Sequence, residues 1–177
     1  MYNFMPVLAA LSRVVLVFSV TFFVPWAWSW WGDEHRLQEV WLLSFAVTFI
    51  CGALVMWRTQ RHRRELMPKD GFMLVNLVWA VLPAFAALPL WLGIPEMDWT
   101  DAYFEAVSGL TATGATVLSG LDELPLAINV WRCFLQLFGV VAASRVTLDY
   151  DSGHATTPGR DAQIIIWSMP VSWRYIP

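Results

Sequence analysis

Charge is what this sequence has least of. Only 14% of its 177 residues are Asp, Glu, Lys or Arg, against about 25% in ordinary soluble domains. That scarcity excludes a surface solvated entirely by water, and the 58% hydrophobic share and mean hydropathy of +0.53 point to lipid as the solvent. Cysteine is equally sparse. Cys51 and Cys133 both lie in apolar runs and read as small buried hydrophobes, not as a disulfide. The three histidines, His35, His62 and His154, are scattered without metal-ligand spacing, so no metal site is expected. No nucleophile–base pair, metal triad or phosphate-binding loop is present, which argues against an enzyme and gives no reason to expect a cofactor. The single basic run is short and lies between apolar segments, which argues against a nucleic-acid partner.

What is abundant is apolar sequence punctuated by aromatic residues, with 12 Trp and 11 Phe. A bilayer core about 30 Å thick needs about 20 apolar residues of helix to cross it. The first such helix is expected from Pro6 to Trp30, with Arg13 snorkelling to an interface and a Trp-rich belt at its end. It is too long for a secretory h-region and lacks a small-residue cleavage site. The second runs from Leu37 to Trp57. The third runs from Gly71 to Leu92 and carries Pro83 and Pro89, which packed membrane helices tolerate. Between the second and third stands Arg58-Thr59-Gln60-Arg61-His62-Arg63-Arg64, followed by Lys69. Basic residues in short loops stay cytoplasmic, which places the amino terminus inside and the end of the third helix outside.

From Asp70 to Trp131 there is no Lys or Arg at all. Past the third helix the charges are Glu96, Asp98, Asp101, Glu105, Asp122 and Glu123. If the intervening run crossed the membrane, Asp122 and Glu123 would be cytoplasmic without a basic anchor. If it dips in and returns, all the acids except Glu105 stay outside, in better agreement with the positive-inside rule. Asp98 to Asp101 offers helix-capping residues, and a helix ending near Leu110 would be only about 18 Å long, half a membrane. Thr111-Ala112-Thr113-Gly114-Ala115-Thr116 then suits extended, strained backbone. After the turn at Asp122–Pro125, a fourth apolar helix runs inward from Leu126 to Ala143 and contains Arg132.

A short helix followed by an extended Thr/Gly segment, entered and left from one side, is how a selectivity filter is built. Rings of backbone carbonyls replace the hydration shell of a cation. Gly114 permits the unusual backbone angles, Ala112 and Ala115 let the strand approach an axis, and Thr111 can add a hydroxyl oxygen. The short helix would aim the negative end of its dipole at the ion path, and Asp101, Asp122 and Glu123 would gather cations at the mouth. The residues alone leave a second reading open: small residues at four-residue spacing, such as Gly109 and Thr113, also serve tightly packed membrane helices. Glu105 would then hold the short helix against a neighbour, and the acids of the turn would simply be solvated.

The run from Asp101 to Thr116, DAYFEAVSGLTATGAT, resembles the first pore loop of the Trk family of bacterial potassium uptake proteins, within the Trk/Ktr/HKT superfamily. Trp131-Arg132 with Leu135-Gln136 is similar to the start of that family's next helix, and Pro68-Lys69-Asp70-Gly71-Phe72 to its approach to the preceding one. The resemblance covers about residues 6–140. It implies an all-α membrane protein of the bacterial inner membrane, with two leading helices and then helix–pore loop–helix repeats, four of them around one pore. It also implies potassium bound by the carbonyls of Thr111, Ala112, Thr113, Gly114 and Ala115, assembly as a homodimer in lipid, and gating by a cytosolic nucleotide-binding subunit.

The expected organisation is two leading helices over 1–58, a basic cytoplasmic loop over 59–70, a first pore-forming repeat over 71–143, and a divergent, poorly ordered polar tail over 144–177. Family chains are far longer, so this one is expected to be an amino-terminal fragment supplying one quarter of the filter. The docking surface for a regulatory subunit would lie in the missing part, and the text from about residue 140 would be a frameshifted or otherwise divergent tail. The alternative expectation is a non-transporting membrane remnant or interaction protein.

Overall fold

The computed structural model describes residues 4–59 and 68–151. Within them every regular element is a helix. α1 (Met5–Ser19) and α2 (Phe23–Trp31) form one apolar span of 27 residues, interrupted by a 3-10 turn at Val20–Phe22. Pro25 causes the interruption: it has no N–H for the Thr21 carbonyl, and its ring crowds that oxygen. Ser19 and Thr21 donate their hydroxyls back to the carbonyls of Leu16 and Phe18, at 2.7 and 2.6 Å. After the Gly32–Glu34 link, α3 (His35–Thr59) returns. α4 (Pro68–Gly93), the short α5 (Trp99–Leu110) and α6 (Leu126–Asp151) follow. Three stretches, Met5–Trp31, His35–Thr59 and Lys69–Gly93, are long and apolar enough to cross a membrane. This is a multi-pass membrane protein.

α3 shows how the spans pack. Trp41, Ser44, Thr48 and Gly52 form its buried stripe, at helical spacing. A Cβ on Gly52 would lie 3.0 Å from Leu16 Cγ, so the missing side chain lets α1 come close. Its other face, with Leu42, Leu43, Phe49, Ile50 and Leu54, is exposed and apolar, as a lipid-facing surface must be.

The core is an aromatic cluster where the leading helices meet α6. Trp131 is fully buried, stacks on Phe22 at 4.9 Å and meets Trp41 edge-on at 5.7 Å. Its indole N–H donates to the Ala86 carbonyl at 3.0 Å, and the Tyr103 hydroxyl donates to the Ala80 carbonyl at 3.2 Å. Both acceptors lie on α4, which carries Pro83 and Pro89 in its interior, and the two bonds tie α5 and α6 to it.

Two expectations need correcting. Cys51 and Cys133 are free but exposed, because apolar runs in lipid turn one face outward. The fourth apolar helix does not end at Ala143: α6 continues to Asp151, since no Gly or Pro interrupts Ser144–Asp151 and helix elongation is cooperative. The boundary expected at residue 143 therefore falls inside a helix. The basic run from Gln60 to Met67, including His62, lies outside the described residues, as does 152–177 with His154.

Candidate functional site

α5 is 12 residues long, about 18 Å. It starts just past α4 and descends against α6. A Cβ on Gly139 would lie 2.2 Å from the Leu110 carbonyl oxygen, and one on Gly109 would lie 2.9 Å from Leu135 Cβ. The carboxyl end of α5 thus reaches the level of Gly139, about 20 Å along α6 from Leu126. The chain then climbs back to a 3-10 turn at Leu121–Glu123, where Asn129 on α6 donates to the Leu121 carbonyl at 2.9 Å. It enters and leaves at the same end of the neighbouring helices.

The turnaround has a definite backbone. Asp98 stands at the N-cap of α5, but its side chain makes no capping bond; Asp101 in the first turn complements the helix dipole. At the other end Thr113 N–H bonds the Ser108 carbonyl at 3.0 Å, and Ala112 N–H bonds that of Gly109 at 2.9 Å. This is a Schellman closure with Ala112 at the left-handed position, φ 54°, where glycine is usual. Gly114 follows at φ 73°, with nothing within 4 Å of where its Cβ would be. The Thr111 and Thr113 hydroxyls lie 2.7 Å apart. Residues 111–117 are exposed. Among the described residues, no hydrogen bond ends on the carbonyl oxygens of Thr111, Ala112, Thr113 or Gly114. The Ala115 carbonyl differs. It accepts the Ser108 hydroxyl at 2.6 Å and so turns toward the loop's own support.

That support is polar and buried. The Glu105 side chain is 2% exposed. Its Oε1 accepts the Val117 N–H at 2.8 Å and the Thr116 hydroxyl, and its Oε2 accepts Arg132 Nε at 3.1 Å. Arg132 also reaches Thr116 Oγ1 at 3.1 Å. One carboxylate therefore ties α5, the returning strand and α6 together. Of the mouth acids, Asp101 lies in the first turn of α5, while Asp122 and Glu123 lie in the 3-10 turn; all three are exposed. Among the described residues no group of His, Cys, Asp and Glu could hold a metal ion.

Sequence reasoning gave no role to Ser108, Thr116 or Glu34. The Glu34 carboxylate accepts the Leu126 N–H at 3.1 Å, so the polar link after α2 caps the amino end of α6. Arg132 did carry a signal. An ionisable residue in an apolar helix requires a partner, and Glu105 is the buried acid within reach.

The chain is 48% identical over 97 residues to the Trk system potassium uptake protein TrkH of Vibrio parahaemolyticus, which covers 54% of this chain and 20% of that relative. It is 39% identical over 134 residues to the TrkH of Halomonas elongata, covering 75% of this chain and 28% of that one. The crystal structure of the potassium transporter TrkH from Vibrio parahaemolyticus superposes with a TM-score of 0.72 at 34% identity, over 94% of this chain and 36% of that one. The chain thus spans about a fifth to a third of these relatives' length. The profile of the TrkH family, described as a cation transport protein, matches residues 37–163, past the point near residue 140 where the resemblance was expected to end. With short α5, its left-handed turnaround and the family match running through both, the chain belongs to the TrkH family of cation transport proteins.

Proposed function

We propose that residues 99–120 supply one quarter of a potassium selectivity filter, in a Trk-type pore that takes up potassium across the bacterial inner membrane. The observation that carries this is the row of carbonyls from Thr111 to Gly114. They are exposed and without a described hydrogen-bond donor, at the carboxyl end of a half-membrane helix. Backbone carbonyls at membrane depth are tolerated without partners only where water or an ion meets them. In this reading Thr111, Ala112, Thr113 and Gly114 face the ion, and Ala115 anchors the strand through Ser108. Asp101, Asp122 and Glu123 raise the cation concentration at the mouth. The amino terminus and the basic loop are cytoplasmic. The partners are membrane lipid, a second copy in a homodimer and a cytosolic nucleotide-binding subunit.

The test is a graft. Residues 99–123 replace their counterparts in the Vibrio parahaemolyticus TrkH, and rubidium uptake is measured in a strain deficient in potassium uptake, with sodium as competitor. Uptake that stays potassium-selective, and loses selectivity with Gly114→Ser, supports the reading. A graft in which Gly114→Ser changes neither rate nor selectivity refutes it. Rescue by the chain alone is a separate measurement of whether it conducts unaided.

A further inference from the structure

A groove of about 280 Å³ runs between α1, α4 and α6, lined by Val14, Val17, Phe18, Leu82 and Phe138, with Arg13 among the same walls. Arg13, Val17 and Thr21 recur at four-residue spacing, so the groove follows one face of α1 and the 3-10 turn after it for about 12 Å. Arg13 is exposed, and among the described residues no acidic side chain pairs with it. A charged residue in a membrane span is costly unless something neutralises it. We infer that this groove is a binding site for one anionic phospholipid, with an acyl chain along Val14, Val17, Phe18, Leu82 and Phe138 and the phosphate on Arg13. Charge complementarity selects the occupant. Guanidinium and phosphate match in shape and sign, whereas the same face of a second copy would bring no acid to Arg13, since the lining holds none. The volume, just below the ~300–1,000 Å³ of ordinary ligand pockets, suits a single chain segment.

The experiment is native mass spectrometry of the delipidated full chain in non-ionic detergent, titrated with phosphatidylglycerol or with phosphatidylcholine of the same acyl chains. One phosphatidylglycerol binds about fivefold more tightly than phosphatidylcholine, the effect of one basic residue at a membrane surface. Arg13→Gln removes that preference and Arg13→Lys keeps most of it. Val17→Trp, on a side chain that is 73% exposed, fills the groove and weakens both lipids. Circular dichroism checks that each variant is folded, and the comparison of the two lipids on the unaltered chain stands without any variant. Equal binding of the two lipids, a preference that survives Arg13→Gln, or a lipid-free dimer that Val17→Trp dissolves would each overturn the proposal.

Discussion

Gly139→Ala tests whether the close approach of α5 to α6 is what sets the height of the loop. In a helix interior alanine is favoured over glycine by about 1 kcal/mol, so propensity alone predicts a gain. The structure predicts a loss. The new Cβ would stand 2.2 Å from the Leu110 carbonyl oxygen and 2.9 Å from its carbon, both backbone atoms that no rotamer change can move. Reaching ordinary C–H···O contact requires the two helices to part by about 1 Å. Overpacking of this kind costs about 1–3 kcal/mol. With rigid backbone on both sides the upper end applies, which leaves a net destabilisation of about 2 kcal/mol. Gly93→Ala is the control: its Cβ would meet Leu37 Cδ2 at 2.9 Å, the far end of a flexible side chain that can turn away. Thermal unfolding in mild detergent, followed by far-UV circular dichroism, should show Gly139→Ala melting well below the unaltered chain, with Gly93→Ala close to it. If Gly139→Ala melts at or above the unaltered chain, α5 is not held in contact with α6 as described.

Glu105→Gln should destabilise the same melt by about 3 kcal/mol, the low end for a broken buried pair because Arg132 keeps some exposure; the double variant with Arg132→Gln should recover part of that loss, and strict additivity would deny the pairing. Ala112→Gly relieves a left-handed alanine at φ 54° and should be neutral to stabilising by up to about 1 kcal/mol, whereas Ala112→Val should be clearly destabilising in the same assay. Glu34→Ala removes the acceptor on the Leu126 N–H and should lower stability by about 1 kcal/mol, with Glu34→Gln retaining more than half; equal losses would mean that charge, not the bond, matters.

The spans and the half-length helix were legible because each is a matter of length and hydropathy, and a bilayer imposes both. The turnaround at Thr111 was legible from its small and β-branched residues, but its handedness was not. Glycine announces a left-handed position and Ala112 does not, since the Schellman closure places Ala112 there through Thr113 and Ser108. Ala115 was grouped with its neighbours because the family resemblance implied it, whereas the Ser108 hydroxyl on α5 occupies its carbonyl. Glu34 looked like a loop residue because its partner, Leu126 N–H, lies far along the chain. The outward faces of Cys51 and Cys133 escaped notice because an apolar run does not reveal which of its sides meets protein and which meets lipid.

The loop's geometry follows from what lies behind it more than from its own residues. Thr111 to Gly114 hold their shape without donors on their carbonyls, so the constraint comes from the two ends: the Schellman closure onto α5 below, and the bonds of Ser108, Glu105 and Arg132 to Ala115, Thr116 and Val117 above. Arg132 is placed by its neighbour Trp131, which is fixed among Phe22, Trp41 and the Ala86 carbonyl. The leading helices therefore have a structural part in the loop, through Trp131. They fix Trp131, Trp131 fixes the register of α6, and α6 presents both Arg132 and the gap at Gly139. A change at Phe22 or Trp41 should accordingly loosen the loop as well as the bundle. Faster amide hydrogen exchange at Val117 in Phe22→Ala, compared with an outward control such as Leu54→Ala, is the measurement that separates this chain of support from a loop that holds itself.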